Sequence, residues 1–201
     1  MIALIDYGAG NLTSVRKALL AVGGQVCVPR TPGELAGAAG IVVPGVGHFG
    51  ATAALDDGWR DAVRASATGG RPLLGICLGL QWLFEESAEA PGLAGLGLVR
   101  GRSTRLSGDV KVPHVGWNTL EHDGGSWLLE GVPTGAQAYF THAYAAPVTA
   151  ETVATTLHGV TFASAVEKSQ VAGVQFHPEK SGDVGLRVLS NFIARCDRKT
   201  P

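Results

Sequence analysis

The sequence is poor in charge of either sign and in cysteine. Charged residues make up 16% of the 201 residues, and the formal net charge is −1. Surfaces that bind nucleic acids need clustered Lys and Arg to displace counterions, so this balance argues against a nucleic-acid partner. The three cysteines are odd in number and lack metal-ligand spacing, which indicates neither a disulfide framework nor a metal site. At least one cysteine is therefore a candidate for a reactive thiol.

Long apolar runs are also missing. No run reaches the roughly 18 residues that a membrane-spanning helix requires. Residues 1–6 lack the basic start and the length of a signal peptide. We therefore expect a cytoplasmic protein without a membrane partner. Hydrophobic residues nevertheless account for 45% of the chain, which is typical of a globular protein with a sizeable core.

The first half of the chain alternates short apolar runs with amphipathic stretches. This alternation is typical of a parallel sheet whose strands are joined by helices. Each run ends in Gly, Pro or Asp, which are residues that break strands. Strands are predicted at residues 2–5, 25–28, 40–43 and 72–76.

Helices fit between these strands. A first helix is predicted to begin after the N-cap Asn11, and a second after Thr31, where a capping box coincides with proline at the first helical position. A last helix is predicted over about 184–195, and β-rich runs between about 97 and 176 favour antiparallel strands. The sequence therefore predicts a single α/β domain over 1–201, with a mostly parallel central sheet flanked by helices and an antiparallel β extension.

The most specific local pattern is an apolar strand that runs into Gly75-Ile76-Cys77-Leu78-Gly79 and then into a helix. This Gly-x-Cys-x-Gly pattern is typical of a nucleophile elbow, a tight strand-to-helix turn that exposes its central side chain. The N-terminus of the helix favours a thiolate at Cys77, and the N–H of Leu78 is placed to stabilise an oxyanion. The alternative is that Cys77 is a small buried hydrophobe in a crowded turn.

A cysteine nucleophile needs a base, and the sequence offers His177-Pro178-Glu179 directly after the apolar run 171–176. Pro178 pushes His177 toward extended geometry, in which residues two apart point to the same side. Glu179 can therefore hold the imidazole in one tautomer while the other ring nitrogen faces a thiol. The alternative is a strand end that carries two solvated polar residues.

A second glycine-rich loop, residues 44–50, follows the third predicted strand. Its glycines allow backbone N–H groups to turn toward an oxyanion or an amino-acid carboxylate. A P-loop is disfavoured because no Lys-Ser or Lys-Thr pair follows.

Together, the elbow at Cys77 and the His177-Pro178-Glu179 segment 100 residues later resemble the class I (triad) glutamine amidotransferases. Within that class, four segments are similar to the glutaminase subunits of imidazole glycerol phosphate synthase. They are residues 5–12, 44–50, 111–118 and 175–181. The resemblance covers nearly the whole chain.

The resemblance implies glutamine as the substrate and no metal or cofactor. Cys77 would attack the side-chain amide, His177 would relay the proton to ammonia, and Glu179 would orient His177. Backbone groups of Val46 and Leu78 would form the oxyanion hole, the former after a rearrangement of the glycine-rich loop. Ammonia would pass to a (β/α)8-barrel cyclase subunit, in a heterodimer that makes imidazole glycerol phosphate and an aminoimidazole carboxamide ribotide for histidine biosynthesis.

Further residues receive roles from the resemblance alone. Those implied to hold the glutamine substrate are Gly47, Gln81, Glu89, His142, Ala143 and Tyr144. Many relatives have serine where Ala143 stands, so only backbone contacts with the substrate remain at that position. Those implied to lie at the interface with the cyclase are His114, Trp117, Asn118 and Lys180.

Three other functions share part of this pattern. The glutaminase subunit of pyridoxal phosphate synthase is disfavoured by residues 113–118 and by Lys180. A partner-independent γ-glutamyl hydrolase uses the same elbow chemistry and would turn over fully as an isolated chain. A non-catalytic binding module would be expected to lose the triad, whereas Cys77, His177 and Glu179 are all present.

Overall fold

The computed structural model describes residues 1–198, so the last three positions of the predicted domain, 199–201, lie outside the described residues. Along the described part, the strands are β1 (Ile2–Leu4), β2 (Val26–Cys27), β3 (Gly40–Val43), β4 (Leu73–Ile76), β5 (Glu86–Ser87), β6 (Arg102–Arg105), β7 (His114–Leu120), β8 (Ala136–His142), β9 (Tyr144–Ala145), β10 (Thr152–His158), β11 (Val160–Lys168) and β12 (Val171–Val174). The α-helices are α1 (Leu12–Ala21), α2 (Asp57–Thr68), α3 (Leu78–Leu83) and α4 (Gly182–Asp197). Short 3-10 helices occupy Pro32–Gly37, Phe49–Ala54 and Pro178–Lys180.

Seven of these strands form one mixed sheet in the order β10-β11-β12-β4-β3-β1-β2. The strands from β12 to β2 run parallel, whereas the β10–β11 and β11–β12 pairs are antiparallel. β1, β3, β4 and β12 are buried along their whole length because one apolar cluster covers each face of the sheet. The predicted parallel sheet with an antiparallel extension is thus confirmed.

The hairpin of β7 and β8 lies outside this sheet. Its register runs from His114 opposite His142 to Leu120 opposite Ala136. The backbone N–H of His177 donates to the carbonyl of Tyr139 in β8 at 2.8 Å. This bond brings the hairpin beside the segment that follows β12.

Helix α1 begins where it is predicted, because the side chain of Asn11 accepts a hydrogen bond from the Ser14 N–H at 3.2 Å and so caps the helix. Helix α4 extends its predicted range by two residues at each end. Among residues 1–198, no helix is long and apolar enough to cross a membrane.

The helix predicted after Thr31 is wrong in type. The segment Pro32–Gly37 is a 3-10 helix, and the Thr31 hydroxyl bonds to the Glu34 carboxylate at 3.1 Å instead of capping a backbone N–H. Two glycines lie within this six-residue segment, and glycine is costly in an α-helix because its backbone loses much conformational freedom on ordering. The segment therefore forms the backbone hydrogen bonds of a 3-10 helix instead of those of an α-helix.

The strand order brings three predicted segments together. β3, β4 and β12 are parallel neighbours, so their carboxyl ends meet at one edge of the sheet. The glycine-rich loop 44–50 follows β3, Cys77 follows β4, and His177 comes shortly after β12. This edge is where we look for an active site.

Candidate active site

Cys77 lies between β4 and α3 in a backbone conformation that few non-glycine residues adopt. Its φ is 53° and its ψ is −103°, a combination that costs on the order of 1–3 kcal/mol and is found mainly at functional sites. A Cβ atom at Gly75 would lie 2.6 Å from the carbonyl oxygen of Gly79, and one at Gly79 would collide with the carbonyl oxygen of Val43. The predicted elbow is thus confirmed, and both flanking glycines are required by close backbone contacts.

The thiol of Cys77 lies in a pocket of polar groups although the residue is only 4% exposed. The side-chain amide Nε2 of Gln175 donates to Sγ at 3.6 Å, and the carbonyl oxygen of Thr141 lies 4.0 Å from Sγ. The Cys77 N–H donates to the carbonyl of Val174 at 2.8 Å, which ties the elbow to the neighbouring strand. This polar setting argues against Cys77 as a mere packing residue.

His177 and Glu179 form a buried pair, although Pro178–Lys180 is a 3-10 helix and not the extended chain that the sequence predicts. Nδ1 of His177 lies 2.8 Å from Oε1 of Glu179, and each side chain is 1% exposed. Burial lowers the pKa of His177, whereas the Cys77 thiolate and the Glu179 carboxylate raise it, and the balance raises the pKa to about 10. In the described part of the chain, Nε2 has no hydrogen-bond partner. The imidazole therefore holds a proton and keeps this nitrogen free for a reacting group.

Ser181 fixes the backbone of His177. Its hydroxyl donates to the carbonyl of His177 at 2.7 Å and accepts from the Tyr139 N–H at 2.9 Å. Since Ser181 is 2% exposed, both bonds lie in the protein interior, where a hydrogen bond is harder to replace by water. Ser181 thus links the imidazole to the β7–β8 hairpin.

The glycine-rich loop closes off the predicted oxyanion hole. The N–H of Leu78 donates to the carbonyl of Gly45 at 3.2 Å and is therefore occupied. A Cβ atom at Gly45 would collide with the hydroxyl of Tyr7 and lie 2.8 Å from Cβ of Leu78, so this close approach requires glycine. Because N–H and C=O of a trans peptide point in opposite directions, the N–H of Val46 faces away from Leu78. The predicted pairing of these two donors needs a rotation of the peptide between Gly45 and Val46.

Gln81 is the predicted substrate residue with the clearest setting. It is 4% exposed, and its Nε2 donates to the carbonyl of Tyr144 at 2.8 Å and to Oε1 of Gln175 at 3.2 Å. Its own Oε1 is buried and has no partner among the described residues. An unpaired buried acceptor of this kind is suited to the ammonium group of an amino acid.

Gly47 lies in the glycine-rich loop, and Glu89 bonds to the end of that loop. Gly47 is exposed and has a φ of 104°, a left-handed conformation that glycine adopts without strain. Oε2 of Glu89 accepts from the Phe49 N–H at 2.8 Å, so this carboxylate holds the end of the loop. The roles of both residues in holding glutamine stay predictions.

In the stretch from His142 to Tyr144, the side chain of His142 and the backbone carbonyls of Ala143 and Tyr144 are bonded within the protein. Both ring nitrogens of His142 have partners within the protein, the carbonyl of Tyr144 at 2.9 Å and Nδ1 of His114 at 3.2 Å. The carbonyl of Ala143 accepts from the Leu106 N–H at 2.9 Å. The imidazole of His142 is therefore fully bonded within the protein, and the role of this stretch in holding glutamine stays a prediction.

The predicted interface residues differ in exposure. Trp117 is 55% exposed, and Lys180 is exposed with its Nζ 5.6 Å from the ring centroid of Tyr139. Asn118 is half-buried and donates to the carbonyl of Leu157 at 3.0 Å. His114 is 4% exposed and stacks against His158 at a centroid distance of 4.0 Å. The ring of His114 is therefore covered by His158, and its place at an interface with a partner stays a prediction.

Three residues near the thiol escaped the sequence analysis as site residues, namely Gln175, Ser181 and Tyr7. Gln175 had a usable signal, because it precedes His177 by two residues in an extended segment and so shares its side. Tyr7 had none, since burial of its hydroxyl beside Gly45 depends on the fold. Burial, and then the Cys77 thiolate, raise the pKa of Tyr7 above its ordinary value.

Residues 1–198 contain no group of three or more His, Cys, Asp or Glu side chains placed to hold a metal ion.

Known sequences match this one over nearly the full chain. Residues 3–196 match the family described as glutamine amidotransferase class-I. The imidazole glycerol phosphate synthase subunit HisH of Methanothermobacter thermautotrophicus is 46% identical, with 96% of this chain and 98% of the relative covered. The subunits of the same name from Thermococcus kodakarensis and Moorella thermoacetica are each 48% identical, with 96% and 95% of this chain and 98% and 93% of the relatives covered.

Solved structures agree on the fold. A crystal structure of a glutamine amidotransferase aligns with a TM-score of 0.77 at 21% identity and covers 97% of this chain and 98% of its own. The structure of PurLQS from Thermotoga maritima aligns with a TM-score of 0.75 at 18% identity, covering 96% and 97%. At such low identity these likenesses show the fold alone. The sequence matches, in contrast, show that the chain belongs to the class-I glutamine amidotransferases and, within them, to the family of the imidazole glycerol phosphate synthase HisH subunits.

Proposed function

We propose that this chain is the glutaminase subunit of an imidazole glycerol phosphate synthase, which hydrolyses glutamine to glutamate and ammonia for histidine biosynthesis. The observation that carries the proposal is the arrangement of a strained cysteine elbow beside a buried His177–Glu179 pair. This order of thiol, imidazole and carboxylate is what acyl transfer with a cysteine nucleophile requires.

In the first half of the reaction, the Cys77 thiolate attacks the side-chain amide carbon of glutamine. The tetrahedral intermediate collapses when its C–N bond breaks, and the leaving nitrogen takes a proton from Nε2 of His177 to depart as ammonia. A raised pKa keeps that proton on the imidazole until the leaving group needs it. The product on the enzyme is a γ-glutamyl thioester.

In the second half, water attacks the thioester and gives a proton to the now neutral His177. The C–S bond breaks, glutamate leaves, and the thiolate and imidazolium are restored together. Glu179 stabilises the imidazolium through its bond to Nδ1, which also fixes Nε2 as the nitrogen that exchanges protons. No metal or cofactor is needed in either half.

Both halves build negative charge on the amide oxygen, and the closed glycine-rich loop leaves it without donors. The carbonyl of Gly45 occupies the N–H of Leu78, and a negative oxygen cannot share that position with a carbonyl oxygen. Rotating the peptide between Gly45 and Val46 by roughly half a turn removes the carbonyl and turns the Val46 N–H toward the site. Activity then depends on whatever stabilises the rotated loop.

A cyclase subunit is the partner that we propose for this role. The curated relatives are named as subunits of imidazole glycerol phosphate synthase, so each acts as part of an assembly. On this chain, Trp117 and Lys180 form an exposed aromatic and basic surface around Tyr139, whose carbonyl is bonded to the His177 N–H. A partner that binds there contacts the support of the catalytic imidazole directly.

The test is glutamate release from glutamine by the purified chain, alone and with the cyclase subunit and its phosphoribulosyl ligand. Strong activity only in the complex supports the proposal. Equal activity in both settings would identify an independent glutamine hydrolase, and no activity in either would refute the assignment to this synthase.

A further inference from the structure

Gln175 is a fully buried residue with an amide that touches two groups of the active site. Its exposed fraction is 0%, its Nε2 lies 3.6 Å from Sγ of Cys77, and its Oε1 lies 3.2 Å from Nε2 of Gln81. The amide thus stands between the nucleophile and the residue whose unpaired oxygen suits the substrate ammonium.

The direction of these hydrogen bonds is fixed by one backbone oxygen. The carbonyl of Tyr144 can only accept, so the Gln81 atom that lies 2.8 Å from it is the donor Nε2. A second hydrogen on the same nitrogen then points to Gln175, which must present its oxygen there. The nitrogen of Gln175 is left to donate to Cys77, and no alternative amide orientation satisfies all three contacts.

His142 also bonds to the carbonyl of Tyr144, and His114 bonds in turn to His142. His142 donates to it through Nδ1 at 2.9 Å, so its Nε2 accepts from Nδ1 of His114 at 3.2 Å. For Nε2 to accept, the ring of His142 must be neutral. The amide nitrogen of Asn118 lies 3.2 Å from Nε2 of His114 and can only donate, so His114 must be neutral as well. Burial lowers the pKa of His114 to about 4 and that of His142 to about 3, which keeps them so at neutral pH. The carbonyl of Tyr144 is therefore held by two hydrogen bonds, one from Gln81 and one from His142.

We propose that Gln175 is a positioning residue for the catalytic thiolate. Its amide N–H holds Sγ in line for attack and stabilises the negative charge, while its amide oxygen ties this arrangement to Gln81. The nucleophile and the binding group for the substrate ammonium are then set by one connected unit. This role rests on the proposed function, because it needs Cys77 as the nucleophile.

The backbone does not need this amide to keep its course. The N–H of Gln175 donates to the carbonyl of Ser164 at 2.9 Å, within the continuation of the pairing between β11 and β12. An apolar side chain of similar length can therefore fill the space without breaking the sheet. A merely structural glutamine would tolerate that exchange with little change in catalysis.

The first test is Gln175→Met in the complex with the cyclase. A hydrogen bond to a charged group is worth enough that kcat should fall about 10- to 100-fold. KM for glutamine should change less than kcat, because Gln81 keeps its bond to Tyr144. Gln175→Glu should lose more activity than Gln175→Met, because a carboxylate still accepts from Gln81 but places negative charge against the thiolate.

Gln137→Met is the matched control, since Gln137 is an exposed glutamine on β8, and it should leave kcat unchanged. Native kcat in Gln175→Met would overturn the proposal. Cys77→Ala separates this failure from a failure of the proposed function. If Cys77→Ala is inactive and Gln175→Met is fully active, only the role of Gln175 is lost.

A second measurement uses the native chain and so does not depend on a variant that folds. Alkylation of Cys77 with iodoacetamide removes the thiolate acceptor, so the side-chain NH₂ signal of Gln175 in a ¹⁵N NMR spectrum should shift. The signal of Gln137 should stay in place. An unmoved Gln175 signal after complete alkylation would also overturn the proposal.

Discussion

The two sides of the Cys77 thiol differ in how ready they are for catalysis. On one side, His177 and Glu179 are buried and joined at 2.8 Å, with Nε2 of the imidazole unoccupied. On the other, the N–H of Leu78 is already bonded to the carbonyl of Gly45 at 3.2 Å. On the mechanism that we propose, the groups for proton transfer are therefore in place in the lone chain, whereas the donors for the oxyanion are not.

The groups proposed to carry out the reaction and the loop proposed to regulate it are therefore different parts of the site. The paired histidine and carboxylate are buried, so a partner can reach them only through the residues that surround them. The glycine-rich loop is partly exposed and is held at Leu78 by a single backbone hydrogen bond, worth about 1 kcal/mol net. A partner that changes the loop conformation can thus regulate the reaction at small energetic cost.

The largest expected effect comes from removing the group that both sides serve. Cys77→Ala should lower glutamine turnover by at least about 10⁴-fold, because no other nucleophile lies at the elbow. Assembly with the cyclase should persist, which gel filtration of the mixed subunits can check. Cys27→Ala, which changes a half-buried thiol in β2, is the control and should keep full activity. Retained turnover in Cys77→Ala would reject the nucleophile assignment.

A second variant tests the prepared side. Glu179→Gln keeps the size of the side chain but removes the charge that orients and stabilises the His177 imidazolium, so kcat should fall about 10³-fold. KM for glutamine should stay close to its native value, since Glu179 is not placed to bind substrate. Steady-state kinetics of the complex will measure this, with the exposed Glu130→Gln as control. A native kcat would mean that the pair is structural only.

A third variant tests the closed side. In Gly45→Ala, the added Cβ would collide with the Tyr7 hydroxyl and crowd Leu78, so the closed loop should no longer be accessible. We expect the ratio of activity in the complex to activity alone to fall, by up to about 10-fold for the loss of one such interaction. Gly33→Ala adds its Cβ in open space and should leave the ratio unchanged. An unaltered ratio in Gly45→Ala would show that the closed loop does not limit the lone chain.

The smallest effect is expected at the surface that we assign to the cyclase. Trp117→Ala removes a large exposed aromatic side chain and should weaken association by about 1–2 kcal/mol. Isothermal titration calorimetry of the two subunits can measure this, and thermal unfolding should be nearly native. Leu20→Ala, an exposed apolar position on α1, serves as control. Identical affinities for Trp117→Ala and the native chain would remove this residue from the interface.

Much of the site could be predicted from sequence because its parts follow local rules. The elbow requires glycine on both sides of Cys77. The spacing of two residues predicts the pairing of His177 with Glu179, although Glu179 lies in a 3-10 helix and not in the extended chain on which that prediction rests. Each of these two features depends on residues only a few positions apart in the sequence. The alternation of apolar runs and helices predicts the parallel sheet but not the order of its strands.

The rest could not be predicted because it depends on contacts between distant segments. The bond between Gly45 and Leu78 joins two loops that meet only after the sheet forms. His114 has an exposed neighbour on each side in sequence, yet His158, 44 residues later, covers its ring. No periodicity of β7 encodes that contact. Burial that depends on a neighbour distant in sequence therefore cannot be predicted from local patterns.

The hydrogen bond between Gly45 and Leu78 also has a consequence for how much of this subunit a cell can tolerate. On the proposed mechanism, a chain whose Leu78 N–H is occupied by Gly45 could be synthesised in excess of its partner without draining the glutamine pool or releasing free ammonia. The two subunits then need no strict matching of their expression levels. A single backbone contact at the elbow would thus relax a constraint on gene dosage.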